Sequence, residues 1–414
     1  MNTLIRKFIT KIPKTDLHVH LDGSLRLPTL IELAKKEKID LPSYTEEGLR
    51  EIVFKDKYAD LPDYLRGFSY TCAVMRNEEN LERVTYELAL DNLAENVRYL
   101  EVRFAPQLLI NKNLPNIDKI IQAVNNGMER ARHDHDNSEA VKSGIDIPFK
   151  FGIIVGAMRF FNEYFSPYYA SLLSSLPYTS DKEAYKLASM DLARAAVELR
   201  DHMNFPIVGF DLCGPEKGYP AIDHQEAYKF VQKNFMEKTV HAGEAYGPKS
   251  IFQAITDCHA NRIGHGTFLY NHETIKDRDI KNPEKFSYYL AEYCAKRRIT
   301  FEVCPTSNLQ TIPELKSVKD HPVKKMIANQ LSVSICTDNR LVSNTTVTKE
   351  LTLLAENIPI TKKQLRDIII AGFKGCFYWG SYKEHRAFVR IVLNKYDELE
   401  HEILGDMKDS DIVK

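Results

Sequence analysis

Eight short runs rich in Val, Ile and Phe recur along the chain, with amphipathic helix patterns between them. They are Thr15–His20, Val97–Pro106, Phe149–Met158, Pro206–Gly214, Thr239–Glu244, Arg262–Gly266, Thr300–Ser307 and Ser332–Asp338. Several are almost continuously apolar, as a parallel strand covered on both faces requires. Leu187, Leu192, Ala195, Ala196 and Leu199 form an apolar stripe along Lys182–His202; Leu81, Val84, Leu88 and Leu93 do the same along Glu79–Asn96. Pro322–Asn329 reads as a short helix opened by its proline. Repeated strand-then-helix units predict an α/β fold, a (β/α)8 barrel with additional helices.

A barrel core needs about 250 residues, and the chain has 414, which leaves room for insertions. Leu25–Met75 is helix-rich and is expected to form a lid over the barrel mouth. His133–Pro148 opens on His133-Asp134-His135-Asp136-Asn137-Ser138 and is expected to be a surface loop. No repeat, low-complexity tract or linker breaks the pattern, so residues 1–414 are read as one domain.

Charge narrows the partners. With 56 basic and 57 acidic residues, a cationic surface for nucleic acid or membrane is not indicated. Runs such as Lys35-Lys36 and Lys296-Arg297-Arg298 read as solvated helix faces. Seven cysteines are scattered without a Cys-x-x-Cys pair, which argues against a thiolate zinc cluster or a redox motif. Cys213, Cys304 and Cys336 fall in apolar runs and read as small buried hydrophobes. The basic segment Met1–Lys14 lacks an apolar stretch of signal length, and no run of about 20 apolar residues follows. A soluble, cytoplasmic and monomeric protein is the expectation.

Four polar patterns sit at strand ends, where barrel enzymes build their sites: His18-Val19-His20, His241-Ala242-Gly243-Glu244, Gly264-His265-Gly266 and Thr337-Asp338-Asn339. Residues two apart on a strand share a face, so His18 and His20 can meet one metal. With His241 and Asp338 they supply three imidazoles and one carboxylate, the inventory of a catalytic mononuclear zinc site that activates water. Glu244 is a candidate proton donor to a ring nitrogen, and His265 is a candidate to orient or deprotonate the attacking water. Each motif alone has a plainer reading: packed histidines, Asp338 as a helix N-cap, Glu244 as a first-turn glutamate. The end of the fourth run, Asp211-Leu212-Cys213-Gly214-Pro215, has no lysine to bridge a second metal, so one ion per chain is expected.

The chain resembles the adenosine deaminase family of the amidohydrolase superfamily from about Lys11 to Tyr382. The resemblance rests on Asp16-Leu17-His18-Val19-His20-Leu21-Asp22-Gly23, Asp211-Leu212-Cys213-Gly214, His241-Ala242-Gly243-Glu244, Gly264-His265-Gly266, Cys304-Pro305-Thr306-Ser307-Asn308 and Thr337-Asp338-Asn339. It implies zinc on His18, His20, His241 and Asp338, Glu244 as proton donor to purine N1, and His265 beside the zinc-bound water. The implied reaction converts adenosine and 2′-deoxyadenosine to inosine and 2′-deoxyinosine plus ammonia.

The resemblance also implies substrate contacts. Asp22 would meet the ribose 5′-hydroxyl and the Gly214 backbone N–H would face N3, with His20 also bordering the substrate. Leu61, Tyr64, Leu65 and Phe68 would form an apolar gating helix and Met158 a wall; core packing is the other reading of these five. Asn339 stands where many members carry a second Asp near purine N7; an amide still donates there. It leaves fine specificity open between adenosine and another 6-aminopurine such as adenine or a 5′-modified adenosine. A 5′-phosphate would meet the Asp22 carboxylate, so nucleotides are disfavoured.

Overall fold

The computed structural model describes residues 3–59, 61–405 and 407–408, with the side chains at 61 and 62 left aside. Eight parallel strands follow one another in sequence order around a barrel. They are β1 (Lys14–His20), β2 (Val97–Phe104), β3 (Lys150–Met158), β4 (Ile207–Cys213), β5 (Glu237–Ala242), β6 (Arg262–His265), β7 (Thr300–Val303) and β8 (Ser332–Ile335). The circle closes just past β8, where Val19 and Asp338 form a parallel bridge. There His20 N donates to Asp338 O and Asp338 N to His18 O, both at 2.7 Å.

The strands are buried along nearly their whole length, as the apolar runs require. Helices Glu78–Ala94 and Asp181–Met203 cover them, each opened by a polar cap, Asn77 or Ser180, that accepts from the third helical N–H. Pro322 caps the short helix Val323–Ala328. Cys213, Cys304 and Cys336 are buried and unpaired, as expected of small hydrophobes. No helix among the described residues is long and apolar enough to cross a membrane.

Several strands end earlier than their apolar runs. Pro106 opens a 3-10 turn after β2, Pro305 opens the helix Pro305–Thr311 after β7, and β8 stops three residues before Asp338. His18, His20, His241 and His265 therefore sit on the last residues of strands, and Asp338 on the turn that leaves the barrel after β8. His265 (φ 63°) and Asp338 (φ 62°) adopt the left-handed conformation there. A non-glycine residue persists in it only where its surroundings over-determine it.

The expected loop at His133–Pro148 is corrected: helix Ile117–Asp136 runs through His133 and His135, and a short helix follows at Glu139–Lys142. The polar residues lie on the outer face, while Ile120, Val124, Met128 and Ala131 continue a buried stripe beneath them. Asp136 then accepts from Phe149 N at 2.9 Å, tying the helix end to the start of β3.

Between β1 and β2 lie helices Leu27–Glu37, Glu46–Ile52 and Leu61–Val74. Arg50 donates to Leu341 O at 2.9 Å and Tyr58 OH to Val342 O at 2.8 Å, which fastens this insertion to the segment after β8. Its last helix borders the barrel mouth through Tyr64, Leu65, Phe68 and Cys72. The expected lid position is thus occupied; the Leu61 side chain lies outside the described residues.

Candidate active site

A cavity of about 1030 Å³ opens at the C-terminal ends of the strands. His20, Asp22, Gly214, His241, Glu244, His265, Asp338 and Asn339 all line it, together with Met158. Residues spread from position 20 to 339 therefore converge on one place. His18 lies beneath, fully buried, with its ring 4.5 Å from that of His241 and 4.8 Å from that of His265.

Ligand-capable atoms of His18, His20 and Asp338 lie within 4.8 Å of one another, and a second such group joins His18, His241 and His265. Asp338 Oδ1 stands 3.6 Å from His18 Nε2 and 3.5 Å from His20 Nε2. His20 Nε2 and His241 Nε2 face each other at 3.2 Å. His18 Nε2 is buried without a hydrogen-bond partner, a state that is expensive unless another group satisfies it. The donor set and this orphaned nitrogen fit a divalent metal ion.

A ring of buried charge supports these histidines. His18 Nδ1 lies 2.8 Å from Glu302 Oε2, and His241 Nδ1 lies 3.0 Å from Asp211 Oδ2. Arg103, itself fully buried, joins the two carboxylates at 2.7 Å and 2.9 Å. Glu302 also accepts from Arg262 at 2.7 Å and from Thr239 at 2.8 Å. Burial alone would raise the Glu302 pKa, but Arg103 and Arg262 hold it well below the usual carboxylate range. Asp211 is depressed in the same way, with His241 and Arg103 outweighing burial. Both carboxylates can then only accept, so each histidine donates from Nδ1 and turns a bare Nε2 inward.

Burial lowers the His18 pKa to about 4, with Arg103 and His241 adding to the effect. It also holds His20 well below its ordinary value. At His241 burial is outweighed by the Asp211 carboxylate, and the pKa rises. Asp338 falls well below its ordinary value, because the neighbouring His18, His265 and His20 rings outweigh burial. Its second oxygen accepts from Ser307 Oγ at 2.6 Å.

Glu244 Oε1 sits 3.7 Å from His265 Nε2. The turn that carries it is clamped by one residue, Glu216. This carboxylate accepts from the backbone N–H groups of Gly243 (2.7 Å), Glu244 (3.0 Å), Ala245 (2.7 Å) and Tyr246 (2.9 Å). Ser250 Oγ donates to it as well.

The residues expected to meet a substrate line the cavity's other wall. Gly214 has φ 95°, a conformation that side chains rarely adopt, which leaves its backbone open to the cavity. Asp22 is buried, its Oδ1 has no partner, and burial pushes its pKa up to about 7. Asn339 Nδ2 donates to Tyr64 OH at 2.7 Å, which leaves one amide N–H for a ligand. Tyr64 thus contributes a hydroxyl as well as an apolar wall.

Arg103, Glu302 and Glu216 were missing from the sequence reading, and Asp211 and Asn308 had no role in it. Arg103 and Glu302 did leave a signal: each is a charged residue inside an apolar strand run. Glu216 left none, because nothing in its local sequence connects it to a turn 28 residues away.

Imidazoles and carboxylates converging at the C-terminal mouth of a parallel barrel are the equipment of a barrel hydrolase. A family model described as Adenosine deaminase matches residues 13–145 and 174–392. An adenosine deaminase of Clostridium botulinum is 33% identical over 371 residues, 89% of this chain and 95% of that protein. Among solved structures, a Burkholderia ambifaria amidohydrolase with bound Zn superposes with a TM-score of 0.75 at 20% identity, covering 98% of this chain and 96% of that one. An adenine deaminase of Arthrobacter aurescens gives a TM-score of 0.69 at 21% identity over 92% and 98% of the two chains. These two likenesses bear on the fold. The chain belongs to the adenosine deaminase family and is a hydrolytic deaminase of adenosine-like purines.

Proposed function

We propose that this chain deaminates adenosine and 2′-deoxyadenosine, using one zinc ion held by His18, His20, His241 and Asp338. The observation that carries the proposal is the buried, unpartnered His18 Nε2 facing the Asp338 carboxylate on the floor of the substrate-sized cavity. Bound there, zinc would bring the pKa of a water from 15.7 to about 7 and so supply a nucleophile at neutral pH.

The protein does the rest. The purine enters with its N3 edge towards the Gly214 N–H and N7 towards the remaining Asn339 N–H. Glu244 delivers a proton to N1, which makes C6 electrophilic. The water oxygen adds to C6, one of its protons passes to the amino group and the other restores Glu244, and the C6–N bond breaks to release ammonia and leave inosine. His265 stabilises charge at the reacting oxygen.

Asp22 favours a nucleoside over the free base. Its buried Oδ1 lacks a donor, and the ribose 5′-hydroxyl would supply one. The test is ultraviolet absorbance of zinc-loaded protein with adenosine, with adenine in parallel. Conversion of adenosine to inosine, lost with a chelator and in Glu244→Gln, supports the reading. Turnover of adenine alone would move the substrate to the free base.

A further inference from the structure

His265 is held differently from the two histidines beside it, and its setting can be read from one backbone amide. Val323 N donates to His321 Nδ1 at 3.1 Å, so that nitrogen carries no proton. His321 is buried, and burial lowers its pKa to about 4 with His265 adding to the effect, so the ring is neutral and its proton lies on Nε2. Nε2 lies 3.1 Å from the Asn308 side chain, and the atom it meets must be the carbonyl Oδ1. Thr267 Oγ1 donates to the same oxygen at 3.0 Å. The Asn308 amino group is then the atom facing His265 Nδ1, at 3.1 Å. An amino group can only donate, so His265 Nδ1 accepts, and the proton of the neutral ring lies on Nε2.

We propose that Asn308 and His321 are positioning residues that fix His265 as the Nε2–H tautomer, so that it donates a hydrogen bond to the reacting oxygen while the water's protons pass to Glu244 and the departing amino group. The contrast within the cluster is direct. His18 and His241 face carboxylates through Nδ1 and present a bare Nε2. His265 faces an amide donor through Nδ1 and presents N–H. The same logic decides between the two overlapping metal groups: a nitrogen that keeps its proton is no ligand, so His265 stays outside the metal set. His321 does this from behind Asn308, 13 residues further along the chain, without lining the cavity.

The inference rests on the proposed deamination for its kinetic consequence, but its structural content is readable without turnover. Zinc-loaded protein labelled with 15N-histidine is measured by NMR, and the His265 ring signals are assigned by their loss in His265→Gln. A protonated Nε2 and an unprotonated Nδ1 are expected; the opposite pattern overturns the proposal. Asn308→Asp replaces the amino donor with an acceptor. It is expected to move the proton to Nδ1 and lower kcat on the order of a hundredfold, with KM and zinc content little changed. His321→Leu is expected to loosen the tautomer and lower kcat, and His321→Gln, which retains an N–H donor, to restore both. An unchanged His265 spectrum and kcat in His321→Leu removes His321 from the relay. If Asn308→Asp does not fold, the wild-type spectrum still decides. A wild type that shows the Nε2–H tautomer but leaves adenosine untouched refutes the substrate reading and upholds this one.

Discussion

His18 and Glu302 share a hydrogen bond, Nδ1 to Oε2 at 2.8 Å, with both side chains fully buried. β1 and β7 are not neighbours in the sheet, so the contact crosses the barrel interior. It joins a candidate metal ligand to a carboxylate already held by Arg103 and Arg262. The barrel core beneath the site is therefore an ionic lattice, and its charges set which nitrogen each histidine turns towards the cavity.

Replacing Glu302 with Gln tests that lattice. The amide leaves Arg103 and Arg262 undercompensated, and breaking a buried pair in this way costs about 3–5 kcal/mol. Loss of the carboxylate behind a ligating histidine weakens metal binding about 10- to 100-fold. Thermal unfolding with and without zinc, and competition against a chromophoric chelator, read both effects. Wild-type zinc affinity in Glu302→Gln would show that His18 needs no carboxylate behind it.

Glu216→Gln should act on the Glu244 turn. Four backbone N–H groups and Ser250 converge on this carboxylate, and an amide replaces half of the acceptor with a donor. A catalytic group shifted by about 1 Å loses on the order of a hundredfold in rate. The expected result is a fall of that size in kcat with zinc content retained. Binding of adenosine should weaken relative to 1-deazaadenosine, which offers no N1 to Glu244. Equal losses for the two ligands would mean that the turn does not act through N1.

Gly23 lies against Asn339. A Cβ at position 23 would stand 1.8 Å from Asn339 Oδ1, so Gly23→Ala must displace that amide. Losing one oriented hydrogen bond to the purine raises KM for adenosine about tenfold. Zinc stoichiometry, measured by elemental analysis, should not change. An unaltered KM would argue against Asn339 as a purine contact.

Glu350 gives a pH signature. It is buried, accepting from Thr306 N and Thr345 Oγ1, and burial raises its pKa from an ordinary 4.5 to about 7. Between those values the folded chain binds a proton that the unfolded chain has lost. Its contribution to stability is complete below about 4.5 and is lost as pH rises to about 7. The difference is on the order of 3 kcal/mol at 1.36 kcal/mol per unit. Denaturant titrations of wild type and Glu350→Gln across pH 4–8 should diverge over that window and run parallel above it. Parallel curves throughout would mean that Glu350 titrates normally.

The sequence by itself determined the barrel and most of the side chains gathered at its mouth. Eight apolar runs became eight strands because a parallel strand buried on both faces has little choice of composition. The His-x-His of β1 had to share a face because strand geometry alternates every residue. What tertiary structure decided was the protonation and aim of those groups. Helix Ile117–Asp136 kept its polar histidines because its buried stripe, invisible beneath them in the local pattern, runs on to Ala131. Glu216 clamps Glu244, Glu302 turns His18, and the Asn308–His321 pair turns His265, each across 13 to 284 residues of chain. A side chain's identity states what it can donate or accept. Which proton it keeps depends on the partner that the fold brings to its other end.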